Sequence, residues 1–161
     1  MEYTKKILSP LFKKIAKLFK LTWREKLLLV EALLLTGIIR FAILFIPFNK
    51  LARLAGKHKE ESSAIIRDED KAITRKISWV VFVVSNKTPW ESKCLVRALT
   101  AQIMLSARKV SSTLYLGVAR DEEKKLIAHA WLRSGENIIT GAYEMAEFTE
   151  VARFANDKGG K

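Results

Sequence analysis

Two residues of this chain could form and break an acyl bond together. Cys94 is the only cysteine among 161 residues, and His129 is one of two histidines. An imidazole beside a thiol can take its proton and later return it to a leaving amine. An unperturbed thiol titrates near pH ~8.5, so at neutral pH it needs help to ionise. A helix N-terminus gives that help through partial positive charge and unpaired amides, and the same amides can hold a tetrahedral oxyanion. Ser92 is a candidate N-cap that would place Cys94 in the first turn of a helix. Thr88-Pro89-Trp90-Glu91 is a competing start, a capping box with proline at the first helical position. No spacing rule ties a lone cysteine to a lone histidine, and both residue types occur more often as ordinary core residues. His58, the other histidine, lies in a charged stretch and reads as a surface group.

The helix that carries Cys94 continues through Ala98, Leu99, Ala101, Ile103, Met104 and Leu105 with almost no polar face, so it is expected to lie at the centre of the fold. After Arg108-Lys109 the period changes from helical to alternating. Leu114, Leu116 and Val118 alternate with Thr113, Tyr115 and Gly117. In the next strand Leu126, Ala128, Ala130 and Leu132 make one face, and Ile127, His129, Trp131 and Arg133 the other. Ser134-Gly135-Glu136-Asn137 turns this strand into Ile138-Ile139-Thr140, and residues 148–154 add another. Upstream, Ile66, Ile73, Ile77, Val80, Val81 and Val84 recur at helical spacing. The expected fold class is α+β: a central helix against a small antiparallel sheet, preceded by helices.

A charged segment, residues 57–63, reads as a linker. It divides a helical N-terminal region (1–60) from the remainder (61–161). Within the first region, residues 1–20 place Ile7, Leu8, Leu11, Phe12, Ile15, Leu18 and Phe19 between six lysines, the pattern of a basic amphipathic helix. Thr22-Trp23-Arg24-Glu25 is a capping box that opens a leucine-rich helix. The longest uncharged piece of that helix, residues 32–39, falls short of the ~20 residues a bilayer requires, and Glu31 and Arg40 flank it. Helices buried within a helical region are expected there rather than a membrane span.

The formal net charge of +12 favours an anionic partner and does not by itself select one. A membrane surface or an acidic peptide suits an amphipathic helix of lysines. Nucleic acid is not expected, because no recognition motif accompanies the charge. One cysteine excludes an internal disulfide, and with two histidines it argues against a zinc site. Residues 1–20 show neither a clean apolar stretch nor a small-residue cleavage site, so the expected setting is cytoplasmic, peripheral to a membrane if the basic helix docks there.

Residues 90–154 resemble the transglutaminase-like leader peptidases of lasso-peptide biosynthesis. The resemblance rests on Pro89-Trp90, Cys94-Leu95-Val96-Arg97-Ala98-Leu99, Leu114-Tyr115-Leu116-Gly117-Val118, Ala128-His129-Ala130-Trp131-Leu132 and Thr140-Gly141, in that order and spacing. It implies a cysteine protease of papain-like architecture with Cys94 as nucleophile and His129 as base, and no cofactor or metal. It also implies a precursor peptide as substrate, a separate small protein that recognises the leader, and a macrolactam-forming cyclase that acts on the product. Many such proteins carry an aspartate about a dozen residues past the histidine. That position here is Gly141, which leaves Thr140, as a neutral hydrogen-bond partner, or Glu144 to orient the imidazole. If the hairpin closes at Ser134-Gly135, Thr140 lies across from His129; if it closes one residue later, Ala142 does. The alternative from another class is a non-catalytic, basic peptide- or membrane-binding module that keeps the fold without the activity.

Overall fold

A computed structural model describes residues 21–157. The basic segment 1–20 lies outside the described residues. In order, the elements are α1 (Trp23–Phe45), α2 (Phe48–Leu51), a 3-10 turn (Ala52–Ala55), β1 (Lys57–His58), α3 (Asp68–Ser85), α4 (Cys94–Ala107), β2 (Ser112–Arg120), β3 (Leu126–Ser134), β4 (Asn137–Thr140), a second 3-10 turn (Met145–Glu147) and β5 (Thr149–Asn156). The strands form one antiparallel sheet in the order β1-β5-β2-β3-β4. The α+β expectation therefore holds.

The apolar face of the sheet and the near absence of a polar face on α4 explain each other. Leu114 pairs with Leu132 and Leu116 with Ala130 across β2 and β3. Leu114, Ala130 and Leu132 join Ala98, Leu99, Ala101, Met104 and Leu105 of α4 in one buried cluster. Each fully buried leucine contributes about 1.5–3 kcal/mol relative to exposure, which is enough to fix α4 on this face. Ile77, Val80, Val81 and Val84 of α3 close the same core. The helical spacing read from Ile73 to Val84 is thus realised as α3. Asp68, Glu69 and Asp70 occupy the first turn of α3, where carboxylates complement the helix dipole.

At the start of α1 the capping box forms as read: the Glu25 amide donates to Thr22 Oγ1 (3.3 Å), and the Thr22 amide donates to Glu25 Oε2 (3.0 Å). The helix runs antiparallel to α4. Its Glu31 meets Arg108 just past the end of α4 (2.6 Å), and its Arg40 meets Glu91 just before the start (2.9 Å). Only Leu28, Ala32, Thr36 and Ile39 are buried. The expectation of a buried leucine-rich helix is met along one stripe and fails around the rest, because α3 and α4 together cover a single side.

The segment read as a linker is instead a strap. Lys57 and His58 pair with Ala155 and Phe154 at the sheet edge. Beyond them, Ser62 is buried, and its amide and hydroxyl both meet Thr113 Oγ1 (2.8 and 2.7 Å). Glu61 accepts from Tyr115 and from Arg133 (2.9 Å) and Arg153 (2.5 Å). Charged residues in a row look solvated in a sequence. Here they cover the sheet face that α4 does not.

Candidate active site

Cys94 is the first residue of α4, and neither proposed cap acts as one. Lys93 holds the N-cap position without a side-chain bond to the helix. The Ser92 hydroxyl meets Thr88 Oγ1 instead (2.9 Å), and residues 88–91 stay non-helical. Side chains therefore leave the first amides of α4 uncapped, next to the thiol. The loop leading into it is tied down by its neighbours. Arg97 donates to the Ser92 carbonyl (2.8 Å) and to Asn86 Oδ1 (3.1 Å). The Trp90 ring lies against Gly37 of α1, where even a Cβ would stand 3.3 Å from it. The Lys93 ammonium beside Glu91 holds that carboxyl below its usual range, which keeps it charged for Arg40.

His129 is 7% exposed and lies between the rings of Trp131 and Phe148. Its Nε2 is 3.0 Å from the Gly141 carbonyl oxygen. A carbonyl only accepts, so Nε2 carries the proton, and in the neutral ring Nδ1 is the basic nitrogen. Glu144 Oε2 lies 3.5 Å from Nδ1, placed to attract a protonated ring.

The hairpin explains these partners. Ser134 pairs with Asn137 and Arg133 with Ile138, the register that would carry Ala142 toward His129. Leu132 then pairs with Thr140, so Ile139 is an extra residue in β4, and the chain beyond it is displaced by one position. Thr140 is consequently not the imidazole's partner, and its buried Oγ1 has no protein partner. Gly141 has φ +78°, and a Cβ there would stand 2.6 Å from the Ala130 carbonyl oxygen and 3.0 Å from His129 Nε2. An aspartate cannot occupy this backbone without moving it. The main-chain oxygen of Gly141 is therefore what this backbone presents to the imidazole.

The thiol and the imidazole are not hydrogen-bonded to each other, and among the described residues the Cys94 thiol has no hydrogen-bond partner. Because Ala130 and Leu132 point into the helical core, His129 and Trp131 occupy the opposite face of β3. Their supporting groups do converge. A cavity of about 830 Å³ is walled by Arg97, which anchors the loop before Cys94, and by residues 141–144, which hold His129. Lys71, Arg75 and Trp79 of α3 face it as well. Sequence reasoning missed Arg97 as an anchor and could not see the Gly141 carbonyl.

A family model described as the transglutaminase-like superfamily matches residues 35–153. The chain belongs to that superfamily. Cysteine peptidases and transferases are common in it. The match begins inside α1, before the Gly37–Trp90 contact, and ends in β5, so it takes in the C-terminal half of α1, which braces the Cys94 loop. No curated protein and no solved structure matches the chain.

Proposed function

We propose that this protein is a cysteine peptidase that removes the leader from a ribosomally made lasso-peptide precursor. The observation that carries the reading is Cys94 at the first position of α4, beside amides that no side chain caps, within a transglutaminase-like domain. In the proposed cycle Nδ1 of His129 accepts the thiol proton, and Sγ attacks the carbonyl at the end of the leader. The uncapped amides hold the oxyanion. The imidazolium, attracted by Glu144, returns its proton to the leaving amine of the core peptide, and water then hydrolyses the thioester. The Gly141 carbonyl takes the orienting role of the third triad member. Cys94 and His129 start on opposite faces of β3, so this cycle requires a rearrangement that brings Nδ1 to Sγ. The partners in this reading are the precursor, a separate leader-recognition protein and the cyclase that uses the freed amine. The setting is the cytoplasm, and neither metal nor nucleotide enters the cycle.

A second reading rests on a specific observation. With His129 on the sheet face away from α4, the same fold would serve as a non-catalytic peptide- or membrane-binding module. Incubation with a lasso precursor and its recognition protein, followed by mass spectrometry, separates the two. Release of intact leader and core supports the peptidase. An uncut precursor that still binds supports the module.

A further inference from the structure

The outer side of α1 is apolar from end to end. Leu27, Val30, Leu34, Ile38, Phe41 and Phe45 follow one another at steps of three and four residues, and each is between 53% and 68% exposed. At 1.5 Å per residue this stripe is about 27 Å long. The two charges that interrupt the sequence here do not interrupt the stripe. Glu31 and Arg40 turn inward onto Arg108 and Glu91. Beside the stripe, Leu29, Leu33, Val83 and Val84 line an apolar groove of about 410 Å³ between α1 and α3, with Lys26 and Lys87 in its walls. A folded monomer rarely shows so long an apolar surface without something to place on it.

Charge identifies what covers it. Residues 1–58 hold twelve lysines and arginines against three carboxylates, and so account for nine of the chain's net twelve positive charges. Of those carboxylates, Glu25 and Glu31 are engaged by Thr22 and Lys76 and by Arg108. Among the described residues, Lys26 and Lys87 stand in the groove walls, and a second copy placed face to face would bring like charges onto this face. An apolar face bordered by Lys26 and Lys87, with no hydrogen-bonding group along its stripe, in a chain of net charge +12, fits an anionic lipid boundary, which demands none.

We propose that α1 docks this protein onto an anionic lipid surface, lying in the plane of the interface with its apolar stripe at the acyl boundary. The helix is long and apolar enough to cross a bilayer. Crossing would break both the Glu31 and Arg40 ion pairs and strip Leu28, Ala32 and Ile39 from the core, whereas lying flat keeps all of them. The docking is independent of the peptidase reading, because it uses neither Cys94 nor His129.

Flotation of the full chain with vesicles tests it. Binding is expected to mixed phosphatidylcholine–phosphatidylglycerol vesicles at low ionic strength, at least about tenfold weaker to phosphatidylcholine alone, and reduced by salt as screening grows. Ile38→Ser with Phe41→Ser, both at exposed positions, is expected to keep the far-ultraviolet spectrum and lose at least about tenfold in vesicle binding. The unaltered chain supplies a readout that needs no folded variant: lipids with brominated chains are expected to quench its tryptophan emission, through Trp23 at the head of the helix, 73% exposed. Absence of flotation with the anionic vesicles at low salt overturns the proposal. So does flotation unchanged in the folded double variant. A concentration-dependent dimer without flotation does the same, and would assign the stripe to a second copy.

Discussion

The two ends of β3 are built to opposite standards. At its C-terminal end, Arg133 donates to Tyr115 Oη (3.0 Å), the Gly135 carbonyl (2.6 Å), Glu61 (2.9 Å) and the Ser62 carbonyl (2.7 Å). Arg153 closes the network from β5 through Glu61 and Glu150. Nearer its N-terminal end, His129 has one carbonyl and one carboxylate at longer range. On the other side of the sheet, the start of α4 carries no side-chain cap, and Trp90 Nε1 in the loop before it has no protein partner among the described residues. A fully satisfied polar network rigidifies a fold, whereas buried groups left without partners cost stability and need another justification. The Glu61 end is tied by charged hydrogen bonds across three strands; His129 and the start of α4 have far fewer.

That contrast is broken most severely at the second end. Cys94→Ala and His129→Ala are each expected to lower leader cleavage on the order of a thousandfold, with the melting temperature nearly unchanged for Cys94→Ala. Cleavage and calorimetry on the same preparations check both halves. Retained activity would move Cys94 and His129 into the structural class. At the first end the effect is expected on stability and not on chemistry. Arg133→Met removes four hydrogen bonds from a side chain 14% exposed and is expected to cost about 2–4 kcal/mol in urea unfolding.

Glu61→Gln sharpens the comparison with pH. The Tyr115 hydroxyl bond, followed by the nearby Arg133 and Arg153, holds the Glu61 carboxyl below the usual carboxylate range against a partial opposing effect of burial. A carboxyl depressed in the folded state adds stability that is complete above its unfolded value and is lost as pH falls through the folded one. The unfolding free energies of wild type and Glu61→Gln are therefore expected to differ at pH 7, by under about 1 kcal/mol because the site is partly screened by solvent, and to converge as pH falls through the depressed folded value. A gap that does not shrink at all as pH is lowered from 7 through the acid range would show that the carboxylate's charge is not what the network uses. The smallest effect belongs to Thr140→Val. Its hydroxyl has no protein partner to lose, so stability within about 0.5 kcal/mol of wild type and an almost unchanged cleavage rate are expected. A large rate loss would return Thr140 to the orienting role the sequence suggested.

Much of this fold was legible because burial leaves periodic marks. The unbroken apolar content of α4 announced its central place, and the period of two placed Ala130 and Leu132 on one face and His129 on the other. Less local features left no such marks. Glu61 finds Tyr115, Arg133 and Arg153 at separations of 54, 72 and 92 residues, so nothing near it in the sequence told a strap from a linker. The imidazole's partner is a main-chain oxygen, which no residue type advertises. It reaches His129 because Ile139 bulges from β4, and that shift depends on the pairing of the whole hairpin. The inward turn of Glu31 and Arg40 likewise depends on Arg108 and Glu91, which no pattern within α1 reveals.

The central claim is that Cys94 forms an acyl bond to the leader with the help of His129. Acid-quenching a single turnover of precursor with its recognition protein and weighing the intact enzyme tests this directly. The account predicts a transient adduct equal in mass to the leader less one water. The adduct should map to Cys94, be absent in Cys94→Ala, and be strongly reduced in His129→Ala. Cleavage by a folded Cys94→Ala protein at the wild-type rate would contradict it.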